Sequence, residues 1–486
     1  MPVISESKIL FNKEVFSLLS LYIISALIRL KINFSTEFIG GNNGAYYLLL
    51  NRTLIENGTL VYKEFPLLFY LQSYIALIPI KLNLLNVSQS IDFVSRVFDS
   101  IVPPLSIFPA YLLVNKIIKQ NKLAKISVAS LSVLHFTFFI LISDFQKNSL
   151  GLLWLFWLLY FLLELNNNVN KKNIFGAIIF FVLIGLTHFG CFGVAVSIVV
   201  LNIIIKFLDN KSPLKLVKIF LIASLTITLS FAIVYLISPW RYESLIEIIK
   251  TIFNKPIILK VLNKEPVLSP LDLFQIFVVN TLAVISLLVI IKKKNVEHKN
   301  YLLLMIIISF VLSSPLLNIE IAQRLYFISL ITMIPLIAFL YEQIDSLVLK
   351  KVVIVLVLAL IFFSVLFNVT RPVYSNMNKK IYDKVLDLRS HIPMEKRTLI
   401  VARHGLEYWL KWILRNDTIR EEDLTSIYWR WYKNIYFVHQ KKDKPPFGPA
   451  GIFGKQFSEP AIPENSKLIY SNDYFDLYKW NTLPID

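Results

Sequence analysis

The sequence predicts an all-α polytopic membrane protein carrying a small α/β domain at its C-terminal end. Three observations predict it. Hydrophobic residues make up 56% of the 486, and the mean hydropathy is +0.62, more apolar than a water-soluble domain. Apolar segments of about 18 or more residues recur, at about eleven places, each long enough to cross a bilayer as a helix. Beyond the last of them, residues 372–486 change to mixed helix and strand patterns.

Taken in order, the apolar stretches include Val15–Leu30, Ile126–Ser143, Ile219–Ser238, Leu271–Ile291 and Val352–Thr370. Val15–Leu30 lacks a small-residue cleavage site and runs into Arg29 and Lys31, so it reads as a span and not as a cleaved signal. Pro103-Pro104 and Pro109 interrupt the stretch Phe98–Ile118. The connecting loops are unequal in lysine. Lys116–Lys125, Asn166–Asn173, Lys206–Lys218, Lys292–Asn300 and Lys350–Lys351 are lysine-rich, and with Lys8 and Lys13 they belong on the cytoplasmic side. The loops Asn33–Ser95, Ser143–Asn148, His188–Gly190, Pro239–Pro270 and Asn318–Arg324 then lie outside, as does the tail. This parity requires that Leu67–Leu82, short and preceded by Pro66, lie along the outer face as a juxtamembrane helix. The expected location is the cell membrane, with a cytoplasmic N-terminus.

The net charge of +18 fits a membrane partner and not a nucleic acid, because the lysines sit in loops that face an anionic leaflet. Cys191 is the one cysteine, so no disulfide forms within the chain. The sequons at Asn33, Asn51, Asn57, Asn86, Asn368 and Asn416 fall on or beside external segments, and Asn210 falls inside. In the tail, Met377–Ser390 reads as a helix and Thr398–Ala402 as a strand, with a helix from His404. Tyr436–Val438 lies in a second strand, and Lys467–Tyr470 and Phe475–Trp480 form a hairpin. The domains are thus 1–371, transmembrane, and 372–486, external.

Chemistry is sought on the outer side. The first external loop holds Glu37, then Gly40-Gly41-Asn42-Asn43-Gly44-Ala45-Tyr46-Tyr47, then Tyr62-Lys63-Glu64-Phe65-Pro66. Its glycines permit a tight turn before a helix starting near Gly44, with Asn43 as the cap in the plainer reading. Glu37 and Glu64 are carboxylates able to act as base or metal ligand. Asp144 and Lys147 sit on the short turn Ser143–Asn148, and Lys147 is a lysine retained outside, suited to a phosphate. His188 stands between two apolar helices, Arg241 opens a long external loop, and Arg324 begins a span with a guanidinium fork that suits phosphate. His404 and Glu407, three apart, can share a helix face, but two residues do not make a metal site, and Tyr408, Trp409 and Trp412 favour domain packing. No Walker A, Gly-x-Gly-x-x-Gly, HExxH or GxSxG pattern is present, which argues against a nucleotide-driven pump and a soluble-type hydrolase.

This layout resembles the GT-C class of integral-membrane glycosyltransferases. The resemblance rests on Gly40–Tyr47, Tyr62–Tyr70, the stretch Asp144–Gly151, Thr187-His188 and Arg324. It implies a GT-C-like bundle with juxtamembrane helices in the first external loop. It also implies inverting transfer from a polyprenyl-phosphate sugar to a glycan, lipid or protein acceptor. Glu37, Glu64 and Asp144 are the implied catalytic carboxylates. Asn42, Asn43, Tyr46, Lys147, His188, Arg241 and Arg324 are the implied substrate contacts, and a divalent metal is left open. The class usually has an acid where this chain has Asn42 or Asn43, and an amide cannot act as a base. Two other readings stand beside it: a lipid-carrier or solute transporter, supported by the proline-broken span, and a non-catalytic assembly protein, supported by the missing acid.

Overall fold

A computed structural model describes residues 3–480 apart from 42, 209–212, 255, 263–268, 294, 371–374, 396, 426–427, 445–450, 453–454 and 457. Asn42 and Asn210 therefore lie outside the described residues. Helices dominate the described chain, because a backbone stripped of water must satisfy its own N–H and C=O groups. Among the described residues, seven helices are long and apolar enough to cross a membrane, and Leu67–Lys81, Leu221–Ile237, Lys299–Leu312 and Leu330–Gln343 are shorter apolar helices.

The chain divides into two compact units. The first comprises Met1–Leu30, Lys63–Leu68 and Asp99–Arg371. Its helices differ in how much of their surface they bury. Gln146–Asn167 is central, with Leu150, Leu155, Phe156, Leu158, Leu159 and Leu163 fully enclosed. Leu347–Thr370 leaves Val355, Leu356, Phe362 and Phe363 exposed, apolar surface that suits lipid. Pro103 and Pro104 break the stretch as expected. A helix ends at Ile101, a 3-10 turn spans Pro103–Ser106, and a new helix runs Ile107–Ile117.

The second unit comprises Lys31–Tyr62, Phe69–Phe98 and Pro372–Asp486. Strands β1 (Thr398–Ala402), β2 (Asp417–Ile419), β3 (Asn434–Gln440), β6 (Ser466–Ser471) and β7 (Phe475–Trp480) form a mixed sheet in the order β2-β1-β3-β7-β6. A separate two-residue ladder joins β4 (Gly451–Ile452) and β5 (Lys455–Gln456). β1 pairs parallel with β2 and β3, and β7 pairs antiparallel with β3 and β6. The expected hairpin is therefore present, while β2 went unforeseen because three residues carry too little alternation to register. One sheet face, with Ile400, Ala402, Tyr436 and Val438, packs on Trp409 and Leu410 of the helix Leu406–Leu414 and shares a core with Ile39, Ala45, Leu48, Ile91 and Val94. The other face buries Leu399, Val401, Ile435 and Phe437. Of the sequon asparagines, Asn33, Asn51, Asn368 and Asn416 are buried, and Asn57 and Asn86 are exposed. Among the described sequons, that pair presents an amide a transferase could reach.

Candidate active site

The first unit gathers four of the anticipated residues around one carboxylate. Glu64 lies in the short connection before Pro66 and is almost wholly buried. Its Oε1 accepts the backbone N–H of Phe65 at 2.9 Å. Its Oε2 accepts Arg241 Nη2 at 2.9 Å and Nε at 3.2 Å, and Lys147 Nζ stands 3.3 Å away.

Each partner is held by local structure. Pro239 begins the helix Pro239–Thr251, where its missing N–H costs nothing and its fixed φ suits the first turn. Arg241 follows two residues later, and its guanidinium lies 3.8 Å from the centre of the Trp240 ring. Trp240 Nε1 and Ser238 Oγ both donate to the carbonyl of Lys63, at 2.7 and 2.8 Å. This ties Arg241 to the residue before Glu64. Lys147 is buried in the first turn of the helix Gln146–Asn167. One turn on, Gly151 lets the next element approach: a Cβ there would meet Cys191 Sγ at 2.6 Å and His188 Cβ at 3.8 Å. The missing side chain thus seats the half-buried His188 on the Lys147 face of that helix. His188 Nδ1 accepts the backbone N–H of Cys191 at 3.2 Å, so in the neutral ring the proton sits on Nε2.

Electrostatics follow from this packing. Burial alone would raise the Glu64 carboxyl, but Lys147 and Arg241 overcome it and hold the group far below the usual carboxylate range. Burial lowers the His188 imidazole well below its ordinary 6.5; Lys147, Arg241 and Arg324 act in the same direction, against Glu64. Arg324, half-buried on the helix Ile319–Tyr326, is therefore near enough to add to the field at His188. The Glu64 carboxylate faces Lys147 and Arg241, and Arg324 adds to the positive field at the neutral His188 imidazole. Asp144 sits half-buried on the turn just before Lys147.

The remaining anticipated residues belong to the second unit. Glu37 is exposed, on a loop whose Asn33, Thr36 and Glu37 carbonyls accept from the buried Arg96 guanidinium at 2.8, 2.8 and 2.9 Å. Asn43 precedes the helix Gly44–Asn57 but makes no side-chain cap. Its carbonyl accepts Tyr46 N–H at 3.1 Å, and Gly44 is required because a Cβ would strike Ile39 at 2.5 Å. Tyr46 packs edge-on against Tyr47, Phe69 and Tyr408. His404 Nδ1 meets Glu407 Oε1 at 2.9 Å beside Tyr408, the packing role the spacing favoured. Arg96, and the pair Arg29 and Asp99, were missed. The signal for the latter was available: charge beside or inside apolar stretches. Among the described residues, no three His, Cys, Asp or Glu side chains gather in a way that could hold a metal ion.

Apolar helices with a polar cluster among them, in a chain that also folds a unit on a small mixed sheet, define a multi-pass membrane protein of the GT-C fold class. Among solved structures, the chain is similar to the Archaeoglobus fulgidus oligosaccharyltransferase, crystallised with zinc and sulfate. The TM-score is 0.55 at 15% identity, over 86% of this chain and 67% of that one. It also aligns with ArnT from Cupriavidus metallidurans, bound to undecaprenyl phosphate, with TM-score 0.49 and 9% identity, over 95% of this chain and 97% of that one. The first likeness shows a shared fold. No protein-family model and no curated protein matches the chain.

Proposed function

We propose that the chain is a membrane glycosyltransferase that moves a sugar from a polyprenyl-phosphate carrier to a glycan, lipid or protein acceptor at the outer face. The observation that carries this reading is the cationic cluster about Glu64. Lys147 and Arg241 converge on one buried carboxylate oxygen, with Arg324 and neutral His188 close by. Such a set is built for an anion whose charge grows during reaction. In the transfer, the acceptor oxygen or nitrogen bonds to the anomeric carbon. The bond from that carbon to the phosphate oxygen breaks, and the electron pair leaves on the phosphate. Lys147, Arg241 and Arg324 stabilise that charge, and His188 Nε2–H donates to it.

Glu64 serves this step as an anchor. A carboxylate held by two cations, far below its usual range, has little affinity for a proton and is a poor base. Asp144, half-buried on the turn before Lys147 in the same unit, is then the carboxylate left to accept the acceptor's proton. The N-terminus is cytoplasmic and the tail external in this reading, as the lysine bias implies.

The test is sugar transfer in detergent, with polyprenyl-phosphate sugars and acceptor extracts from the host. Glu37→Gln and Asp144→Asn are compared with Arg324→Ala. Loss of transfer in one carboxylate variant, with carrier binding retained, names the base. Absence of transfer by the wild type, together with flux of labelled lipid in liposomes, would replace the reading with transport.

A further inference from the structure

A deeply enclosed ion pair of the first unit has no part in the proposed transfer. Arg29 and Asp99 are both sealed from solvent, with Arg29 Nη2 2.9 Å from Asp99 Oδ1. Charge in such a place is expensive and seldom idle. The remaining donors of Arg29 are directed at backbone and turn. Nε donates to the Asp99 carbonyl at 2.9 Å, Nη1 to the Phe138 carbonyl at 3.0 Å, and Nη2 also to Ser149 Oγ at 3.3 Å. The guanidinium lies 4.7 Å from the centre of the Phe138 ring.

The second carboxylate oxygen shows what the pair holds. Asp99 Oδ2 accepts the backbone N–H of Ser143 at 3.0 Å. Ser143 has φ 65, a left-handed conformation that L side chains rarely adopt and that persists where the surroundings impose it. Ser143 opens the turn that leads into the helix at Gln146, and Ser149 lies within that helix's first turns. Lys147 sits between these two anchored points. The pair thus grips the turn on both sides of the lysine whose ammonium faces Glu64.

We infer that Asp99, bridged by Arg29, is a positioning residue for Lys147: it fixes the strained Ser143 turn and thereby sets where the Lys147 ammonium meets the phosphate of the carrier. The inference rests on the proposed reading of Lys147 as a phosphate ligand. Neither Arg29 nor Asp99 touches the reacting atoms in it.

The experiment is a double-mutant cycle on full-length protein in detergent, read as affinity for a polyprenyl phosphate without its sugar. Wild type, Asp99→Asn, Lys147→Met and the combined variant are titrated. Asp99→Asn weakens binding about tenfold, and Lys147→Met by at least as much. The combined variant binds no more weakly than Lys147→Met alone, since Asp99 acts only through the lysine. Losses that add, or an Asp99→Asn affinity equal to wild type, would overturn the inference. Arg29→Met/Asp99→Leu serves as the second test, because replacing a buried pair with apolar groups spares the fold while releasing Ser143. It too should weaken binding about tenfold. Amide exchange across Ser143–Lys147 is followed in parallel and accelerates in both variants; unchanged exchange would remove the clamp itself. Wild-type protein that fails to bind polyprenyl phosphate, with exchange still raised in the variants, would overturn the phosphate reading of the cluster and leave the turn clamp standing.

Discussion

Replacing Glu64 by glutamine separates an anchor from a base. The substitution keeps shape and removes charge. It leaves Lys147, whose side chain is 5% exposed, and Arg241, 21% exposed, facing each other with no carboxylate between them. Removing one partner of a buried ion pair costs about 3–5 kcal/mol, and the partial exposure of Arg241 places this case near 3. At roughly 2 °C per kcal/mol in a unit of this size, the melting temperature falls by about 6 °C. The vacated position attracts an anion more strongly, so affinity for polyprenyl phosphate rises while stability falls. Saturating that ligand at about 100 times its Kd returns about 2.7 kcal/mol, nearly the whole loss. The assay is a thermal melt in detergent with and without polyprenyl phosphate, beside a binding titration. A base would behave differently: its glutamine variant loses about 10²–10⁴ in rate with little change in melting. A Glu64→Gln protein as stable as wild type, with unchanged phosphate affinity and abolished transfer, would refute the anchor role.

Three further outcomes follow from the same geometry. His188 is held neutral, its folded pKa below its unfolded one, so the unfolded chain takes up the proton first and stability drops as pH falls below about 6.5, by at most about 1.4 kcal/mol per pH unit; melts from pH 8 to 5 should show this slope, and His188→Asn should flatten it. Gly151→Ala overpacks against Cys191 Sγ at 2.6 Å and Cβ at 2.9 Å and costs about 1–3 kcal/mol, and adding Cys191→Ala, which removes the sulfur and keeps the Cβ, should recover part of it in the same melt. For the orientation, Cys191 is buried, so background labelling is low. Lys467→Cys should react with an impermeant maleimide in intact cells and Lys119→Cys should not; the reverse pattern would invert every loop assignment.

What could be read in the sequence, and what could not, divides along physical lines. Helix and strand follow from local periodicity, so the spans, the Pro103-Pro104 break, β1, β3 and the terminal hairpin were visible. Glu64, Lys147, His188, Arg241 and Arg324 were each visible as polar residues beside apolar ones. Their convergence was not, because Glu64 and Arg241 are separated by 177 positions and nothing in residue spacing reports such a meeting. Glu64 shows the consequence: a carboxylate alone in a loop reads as a base, and the same carboxylate, set between two cations, is in the proposed reading their anchor. Asn43 shows the opposite error. Its residue type and position before Gly44 satisfy a capping rule, yet the first turn is reached through the Asn43 carbonyl and the space that Gly44 leaves beside Ile39.

Arg29 shows the same division between sequence and fold. In the sequence it reads as the charged edge of an apolar stretch, the place where a span meets water. In the fold it is sealed, and all of its described contacts are to Asp99, Phe138 and Ser149. A charge that merely marked a membrane boundary would be exposed and replaceable by lysine. This one grips two carbonyls, a carboxylate and a hydroxyl with a planar fork, which a lysine's three tetrahedral donors cannot reproduce. The same distinction separates Lys147 from the lysines of the Lys116–Lys125 and Lys292–Asn300 loops. Lys116, Lys119 and Lys122 of the first of these loops are exposed and pair with Glu164, Glu297 and Glu14 at the surface, whereas Lys147 is buried beside the turn that Asp99 holds and faces Glu64. Loop charge therefore reports topology where the charge is solvated and chemistry where it is enclosed, and burial, which no composition contains, decides between them.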